Sequence, residues 1–233
     1  LRSDLDDIAT YSTNVDHALS WLGSTEDALL HAGDIIQRAS DLAVTGANGS
    51  NPQAALDAIA DEIDQLLEHM VQIANSSQAG QYLFGGTKTR AVVGESYEPF
   101  QLIRDGNNPP YVQYNGNNDT RATEIGAGIG FVYNVTGDEA FNMGSDNKTS
   151  LVFDSLIELS SNLRQGKTEE ISSSSIGQLR QALDHLVAQR SEVGAKVNRL
   201  EMTESRLSSA DINFTALLSK TEDLDAAEAM IYL

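Results

Sequence analysis

The stretch QAGQYLFGGTKT, from Gln78 to Thr89, marks the point at which the chain changes its structure. A strongly helical pattern ends just before it, and a region dense in Gly, Asn and Pro follows it. Its glycines invite comparison with the phosphate-binding loop G-x-x-x-x-G-K-[ST], in which loop amides and a lysine converge on phosphates. The stretch therefore decides between a nucleotide-binding enzyme and a helical structural protein that carries an insertion.

The comparison with a phosphate-binding loop fails on spacing and on context. Gly80 and Gly85 have the required separation, but Gly86 occupies the lysine position and Lys88 comes two residues late. A phosphate loop also follows a strand and opens a helix, whereas this stretch follows a helix. We interpret it as a corner, in which Gly80 ends the helix, residues 82–84 (Tyr-Leu-Phe) pin the corner to the core, and Gly85-Gly86 permit a sharp exit.

The sequence before the corner predicts two long antiparallel helices, from Asp4 to Val44 and from Pro52 to Ser77. Apolar residues alternate three and four positions apart, which is the pattern of a heptad seam. The seam of the first helix contains Leu5, Ile8, Val15, Leu19, Leu22, Leu29, Ile36 and Ala43, with gaps at Ser12, Glu26, Gly33 and Ser40. The seam of the second contains Leu56, Ile59, Ile63, Leu66, Met70 and Ile73. An aspartate at Ile63 or Leu66 is therefore expected to unfold the bundle.

The sequence after the corner predicts short strands and then helices again. Segments rich in Tyr, Val, Ile and Phe, such as PFQLI, PYVQY and TEIGAGIGFVYNV, are separated by turn dipeptides including Asp105-Gly106 and Asn115-Gly116. A helix follows over 150–166, then a polar loop KTEEISSSS, then a third long helix from Ser174 to Ser219. Ser219 and Glu222 have capping-box spacing, which suggests that one more helical piece starts or continues there.

These patterns predict a mainly α fold with a β insertion. The expected architecture is an elongated bundle of long helices, formed by residues 1–88 and 149–233, with a small β-rich domain inserted at residues 89–148. The chain begins and ends within helical patterns, so we expect a segment of a longer protein.

Composition excludes several classes of function. The net charge of −19 opposes binding to nucleic acid or to anionic membrane surfaces. The absence of cysteine excludes disulfides, thiol catalysis and thiolate metal sites. No apolar run approaches the roughly 18 residues that a membrane span needs.

No residue pattern indicates catalysis, a cofactor or a metal. The four histidines are His17, His31, His69 and His185. Each lies in a predicted helix, and none has another histidine three or four positions away. The Asn-rich segment from Asp105 to Asp119 offers oxygen atoms but lacks the spacing and closing glutamate of an EF-hand. We therefore predict no catalytic residue, no cofactor, no metal site and no enzymatic activity.

Several segments resemble the flagellar hook-associated protein 3 family, the hook–filament junction proteins related to flagellin. They are GQYLFGGTKT after QIANSSQA, YEPF (97–100), YNGN (114–117), NVTGDEAF (134–141), EVGAKVNRLE (192–201) and LLSKTEDLDAAEAM (217–230). YLFGGTKT carries most of the distinction from flagellin. The resemblance covers nearly the whole chain, more loosely in the predicted β region.

The resemblance implies a structural subunit of the bacterial flagellum at the hook–filament junction. It implies export in the unfolded state and an extracellular location. The implied partners are neighbouring copies in a ring, the other hook–filament junction protein, flagellin, and an export chaperone acting through terminal regions. Because those terminal regions pair in the family and are expected to be missing here, we expect this segment to be monomeric.

Flagellin itself is the nearest alternative. A chemoreceptor-like signalling rod is a third possibility, but such a rod would carry no β insertion between its long helices. Nucleotide titration by calorimetry would test the remaining alternative, a phosphate-loop enzyme.

Overall fold

The computed structural model describes residues 1–90, 97–106 and 109–231, with side chains described as far as Thr221. Its helices are α1 (Arg2–Gly46), α2 (Gln53–Ala74), α3 (Gly137–Phe141), α4 (Leu151–Arg164), α5 (Thr168–Glu170) and α6 (Ile176–Ile231). Its strands are β1 (Ser77–Gln78), β2 (Gln81–Tyr82), β3 (Phe100–Ile103), β4 (Tyr111–Tyr114), β5 (Ala122–Glu124) and β6 (Gly130–Val132). The prediction of a mainly α fold with a small β-rich part is confirmed.

Within the part of the chain that the structure describes, each strand pairs with its neighbour in sequence. In the described residues they form three antiparallel pairs, β1–β2, β3–β4 and β5–β6. The β3–β4 pair carries the largest buried side chains, with Phe100 opposite Tyr114 and Leu102 opposite Val112. The predicted strand segments are therefore present, but they are hairpins attached to helices instead of one continuous sheet.

One prediction about helix boundaries is wrong. The polar segment predicted as a loop, KTEEISSSS, is helical in α5 and in the π-helical turn Ile171–Ser175 that leads into α6. Asn162 of α4 donates a hydrogen bond to the buried Ser175 hydroxyl at 3.1 Å, which gives that turn a tertiary anchor that local composition does not reveal. Of the two outcomes predicted at Ser219, a helical piece that starts there or one that continues, the structure shows the second, because α6 runs through that position to Ile231.

Helix α1 buries a column of residues spaced by seven, as predicted: Val15, Leu22, Leu29, Ile36 and Ala43. The second predicted column is wrong, because its members Leu5, Ser12, Leu19, Glu26, Gly33 and Ser40 are only half-buried. The true second column lies one position earlier and is fully buried: Ala18, Thr25, Ala32 and Ala39. Small side chains give a weak hydrophobic signal, and a column of them permits close packing of neighbouring elements.

An error of one position, in the opposite direction, occurs at two positions of α2. Leu56, Ile63, Met70 and Ile73 are buried as predicted, but Ala60 and Leu67 are buried where Ile59 and Leu66 were expected. Both Ile59 and Leu66 are half-buried. In α6 the column Leu179, Leu186, Val193, Leu200 and Leu207 is buried, while Leu183 and Val197 are half-buried.

The described residues form two compact units. One contains residues 1–23, 122–133 and 195–231, and the other contains residues 24–90, 97–106, 109–121 and 134–194. This division has other boundaries than the predicted one, which separates a helical domain (1–88 and 149–233) from an inserted domain (89–148). The predicted division stays a proposal.

The first unit is organised around the β5–β6 hairpin. Trp21 and Tyr133 are both buried, with ring centroids 6.0 Å apart in an edge-to-face arrangement, and His17 lies 5.5 Å from Tyr133. The Asn14 amide donates to the Glu124 carbonyl at 2.8 Å, and the Arg199 guanidinium lies 5.2 Å from the centroid of the Phe131 ring. Side chains of α1 and α6 therefore both hold this hairpin.

The second unit joins α2 to α4. Arg164 of α4 pairs with Asp61 at 2.7 Å and with Asp64 at 2.6 Å, and the Ser160 hydroxyl donates to Asp64 at 2.6 Å. Gln53 at the start of α2 donates to the carbonyls of Leu163 and Arg164 near the end of α4. These bonds satisfy carbonyls at the α4 terminus that have no partner within the helix.

The corrected position of the α2 seam can be tested by placing an aspartate at Ile63 and, as its matched control, at Leu66. Ile63 has 0% exposure, so Ile63→Asp buries a carboxylate without a partner and should cost several kcal/mol, on the order of 3 to 5. Leu66→Asp can turn its carboxylate to water and should cost about 1 kcal/mol or less. Thermal unfolding followed by circular dichroism measures both; equal losses, or a larger loss at Leu66, would contradict a seam that buries Leu67 and leaves Leu66 half-buried.

Candidate functional site

In the structure the corner starts where α2 ends and comprises residues 75–89. It begins with a tight hairpin. Helix α2 ends at Ala74, so the prediction that Gly80 ends the helix is wrong. Ala79 and Gly80, with φ of 49° and 74°, instead connect β1 to β2. Consecutive left-handed residues suit a two-residue turn because their twist matches that of the flanking strands.

The glycine pair that follows forms a turn packed against another loop. Gly86 has φ of +68°, and the Lys88 amide donates to the Gly85 carbonyl at 3.2 Å. A β-carbon on Gly86 would overlap the backbone and side-chain oxygens of Asn117. The prediction that the glycines permit a sharp exit is thus confirmed, and the close approach of residue 117 explains why a side chain is excluded.

Several amides of the corner already donate within the protein. The Thr87 amide donates to the Asn117 side-chain oxygen at 2.8 Å, the Tyr82 amide to the Thr89 carbonyl at 2.8 Å, and the Leu83 amide to the Ser76 carbonyl at 3.0 Å. A phosphate-binding loop needs free amides that converge on an anion. The Asp119 carboxylate, which accepts from Thr87 Oγ1 at 3.2 Å, also places negative charge beside the turn. This geometry opposes nucleotide binding at the corner.

Beneath the corner lies a cluster of buried aromatic rings. Phe84, Phe100, Phe141 and Phe153 all have 0% exposure, and Tyr114 has 2%. Their centroid separations run from 4.9 Å, between Phe100 and Tyr114, to 5.5 Å, between Phe100 and Phe153. Rings at such distances in tilted and edge-to-face arrangements stabilise beyond their burial, by about 0.5–1.5 kcal/mol per pair. The cluster joins residues of the corner, β3, β4, α3 and α4, and confirms that Phe84 pins the corner. Leu83 is buried as predicted, whereas Tyr82, which was expected to be buried with them, is half-buried.

Tyr114 supplies the polar centre of this aromatic cluster. Its hydroxyl lies 3.0 Å from the carbonyl oxygens of both Phe84 and Asn117, and it accepts from the Gly137 amide at 3.3 Å. Burial raises the pKa of the Tyr114 phenol well above its ordinary value, so the hydroxyl stays protonated and can donate. One hydroxyl thus lies within hydrogen-bond distance of backbone groups from three separate segments, and its single hydrogen is shared between the two carbonyls.

Asn75 fixes the end of α2 to β3. Its side-chain nitrogen donates to the Phe100 carbonyl at 2.8 Å, and its side-chain oxygen accepts from the backbone amide of Phe100 at 2.9 Å. This paired bond mimics the pairing of a neighbouring strand and sets the position of Phe100 within the cluster. Sequence reasoning missed Asn75, Tyr114 and Asn117 as a group, since their partners are 25 to 30 residues away.

A loop on the other side of β4 is organised by Asp146. Its Oδ1 accepts from the amides of Lys148 and Thr149, both at 3.0 Å, and from the Thr149 hydroxyl at 2.8 Å. Asn147 in turn accepts from the Tyr114 amide at 2.9 Å. Hydrogen bonds from the Thr149 and Lys148 amides, and then from the Thr149 hydroxyl, lower the pKa of Asp146 to about 2.

The histidines do not come together. His17 packs against Trp21, while the His185 Nε2 lies 2.8 Å from the Glu139 carbonyl oxygen; His31 and His69 are exposed. Within the described residues, no three His, Asp or Glu side chains are placed to hold a metal ion. In the same residues, none of the helices has the length and hydrophobicity to cross a membrane.

Two glycine-to-alanine substitutions can separate backbone strain from steric exclusion at the corner. Gly80→Ala, with φ of +74° and no neighbour near the new β-carbon, should cost about 1–2 kcal/mol of stability. Gly86→Ala adds an overlap with the Asn117 backbone and should cost more, roughly 3 kcal/mol. Chemical denaturation measures both, and a cost at Gly86 no larger than at Gly80 would show that the close approach is absent.

The role of Asp146 can be tested through the pH dependence of stability. Its pKa is about 2 in the folded chain against 3.8 ordinarily, so it stabilises the fold above about pH 4. That stabilisation should fade as the pH falls through about 2. Asp146→Asn should therefore lower the melting temperature near neutral pH and match the unsubstituted protein at the acid end. Asp184→Asn, on the exposed face of α6, is the control; a pH-independent difference at Asp146 would contradict this role.

Comparison with known proteins gives matches at both helical ends. The bacterial flagellin N-terminal helical region matches residues 1–89, and the bacterial flagellin C-terminal helical region matches residues 176–233. Among relatives, flagellin FlaB1 of Treponema pallidum is 25% identical over 99% of this chain and 71% of its own length. The flagellar filament 33 kDa core protein of Treponema phagedenis is 26% identical with the same coverage.

Solved structures share the fold over nearly the whole chain. The flagellar hook associated protein-3 of Legionella pneumophila has a TM-score of 0.81 at 16% identity, covering 96% of this chain and 98% of that one. FlgL of Bacillus cereus has a TM-score of 0.72 at 24% identity, covering 91% and 95%. Flagellin of the same species has a TM-score of 0.53 at 19% identity, covering 88% and 94%.

The two helical-region matches together span well over half of the chain, and the described fold has long helices at both matched ends. This chain belongs to the flagellin-related family of flagellar structural proteins.

Proposed function

We propose that this chain is a structural subunit of the hook–filament junction, where it connects the hook-side junction protein to the flagellin filament. The observation that carries the proposal is the fold similarity across the whole chain, which is greater to hook-associated protein 3 and FlgL than to flagellin. The corner segment YLFGGTKT supports it as well, since the resemblance to junction proteins is carried most strongly there.

Flagellin itself is the second candidate. It is favoured by the relatives that align over 99% of this chain, which are flagellins or filament core proteins. The two candidates share the helical ends and differ in the segment between them. That segment is attached to the second compact unit through the aromatic cluster around Phe100 and Tyr114.

The proposed role is mechanical. Helices with columns of small buried residues form a stiff wall, and the cluster around Phe100 and Tyr114 holds the strands of the second unit against α2 and α4. A subunit of this kind transmits torque through contacts with its neighbours and needs no catalytic group. Its partners are neighbouring copies, the other junction protein, flagellin, and an export chaperone; its location is the extracellular flagellum.

Complementation in two strains distinguishes the candidates. The full-length gene should restore filament attachment to a strain that lacks its junction protein, and should fail to restore a filament in a strain that lacks flagellin. Electron microscopy and swimming assays measure both. Restoration of the filament in the flagellin-deficient strain alone would favour the second candidate and overturn the proposal.

A further inference from the structure

We propose that Asn48 and Gly49, in the loop between α1 and α2, form a site of self-modification at which Asn48 loses its amide nitrogen as ammonia. The reaction is assisted by Ser50, which follows in the same turn. The site is independent of the flagellar role, because it rests on the geometry of this loop alone.

The loop presents the reacting groups to solvent. Asn48, Gly49 and Ser50 are all exposed. The Asn51 amide donates to the Asn48 carbonyl at 3.1 Å and closes a turn around the pair. The side-chain oxygen of Asn48 accepts two hydrogen bonds, from the Ser50 amide at 3.1 Å and from the Ser50 hydroxyl at 2.8 Å.

The chemistry uses only the chain and water. The Gly49 amide nitrogen loses its proton to solvent hydroxide and attacks Cγ of Asn48. The side-chain nitrogen then takes a proton from water, which regenerates the hydroxide, and leaves as ammonia, so that a five-membered succinimide remains. Water then opens this ring at either carbonyl and yields aspartate or isoaspartate at position 48. One water is consumed and one ammonia released, with no change of oxidation state.

The two Ser50 donors are placed where charge develops. As the Gly49 nitrogen attacks, the Asn48 side-chain oxygen becomes an oxyanion, and fixed donors at that oxygen lower the barrier. Such donors act without reorganising during the reaction, because the turn already holds them in place.

Gly49 is suited to the attacking role. Among the described residues no acceptor binds its amide hydrogen, and it has no side chain to shield the nitrogen. An ideal β-carbon at this position would meet only Thr168 Oγ1, 3.9 Å away. The amide is thus available, whereas most amides close to it in sequence are held within helices.

The chain contains an internal control in Asn115-Gly116. Asn115 is half-buried, its amide donates to the Pro99 carbonyl at 2.8 Å, and its side chain donates to the Glu98 carbonyl at 3.4 Å. Among the described residues nothing donates to its side-chain oxygen. The Tyr114 ring also packs against Gly116. The same dipeptide is therefore restrained at this position and lacks the donors found at Asn48.

The products would differ in their effect on the loop. Aspartate keeps an oxygen that accepts both Ser50 bonds, but it adds negative charge two residues beyond the end of α1, where the helix dipole disfavours it. Isoaspartate lengthens the main chain by one carbon between the two helices and disrupts the Asn48–Asn51 turn.

To test the site, the folded full chain is incubated at body temperature and mildly alkaline pH. The loss of ammonia from each asparagine is then followed in its peptides by mass spectrometry, with an isoaspartate-specific label. Modification at Asn48 should be on the order of tenfold or more faster than at Asn115. Ser50→Ala should slow it several-fold, while Ser209→Ala, which removes an exposed hydroxyl elsewhere, should not. Circular dichroism confirms that each variant is folded.

Gly49→Ala provides a second variant, since the added methyl group shields the attacking nitrogen and should slow the reaction strongly. Equal rates at Asn48 and Asn115, or no reaction at Asn48 while a short unfolded peptide of the same sequence reacts, would overturn the site. An unchanged rate in folded Ser50→Ala would overturn the assisting role of Ser50.

Discussion

The burial of Phe100 is the constraint on which the second compact unit depends. This ring has 0% exposure and lies within 5.5 Å of Tyr114, Phe141 and Phe153. Its backbone is held by Asn75, so the end of α2 fixes where the ring sits. The strands are short and form two-stranded hairpins, and isolated hairpins of that kind are only marginally stable in water. Anchoring their aromatic side chains in a shared core gives them stability that strand pairing alone would not supply.

This constraint also explains the glycine-rich corner. The chain must leave α2, bury Leu83 and Phe84, and then turn away within a few residues while the loop at Asn117 lies against it. Such a path engages the amides of Tyr82, Leu83, Thr87 and Lys88 and leaves a left-handed residue at Gly86. A sequence that resembles a nucleotide-binding motif thus follows from packing, and the family relationship agrees with a structural role.

The sequence was sufficient for the type and approximate bounds of the long helices, because heptad columns such as Leu22, Leu29 and Ile36 are strong signals. It misplaced Leu19 in α1 and Ile59 in α2 because the alanines that are buried beside them carry little hydrophobic signal. Leu66 and the buried Leu67 are the same residue type, so hydrophobicity alone does not distinguish them. It also missed α5 and the π-helical turn, where Ser175 bonds to Asn162 on another helix. The hydrogen bonds around Tyr114 and Asn75 could not be predicted from the sequence for the same reason, since side chains distant in sequence become neighbours only after folding.

The corner is a hydrogen-bonded joint and not an open ligand loop, and amide hydrogen exchange tests this most directly. The amides of Tyr82, Leu83, Thr87 and Lys88 donate within the protein, so they should exchange slowly, with protection near that of the middle of α2. Nucleotide should leave these rates unchanged. Exchange as fast as that of an exposed loop, or protection that appears only when nucleotide is added, would contradict the account.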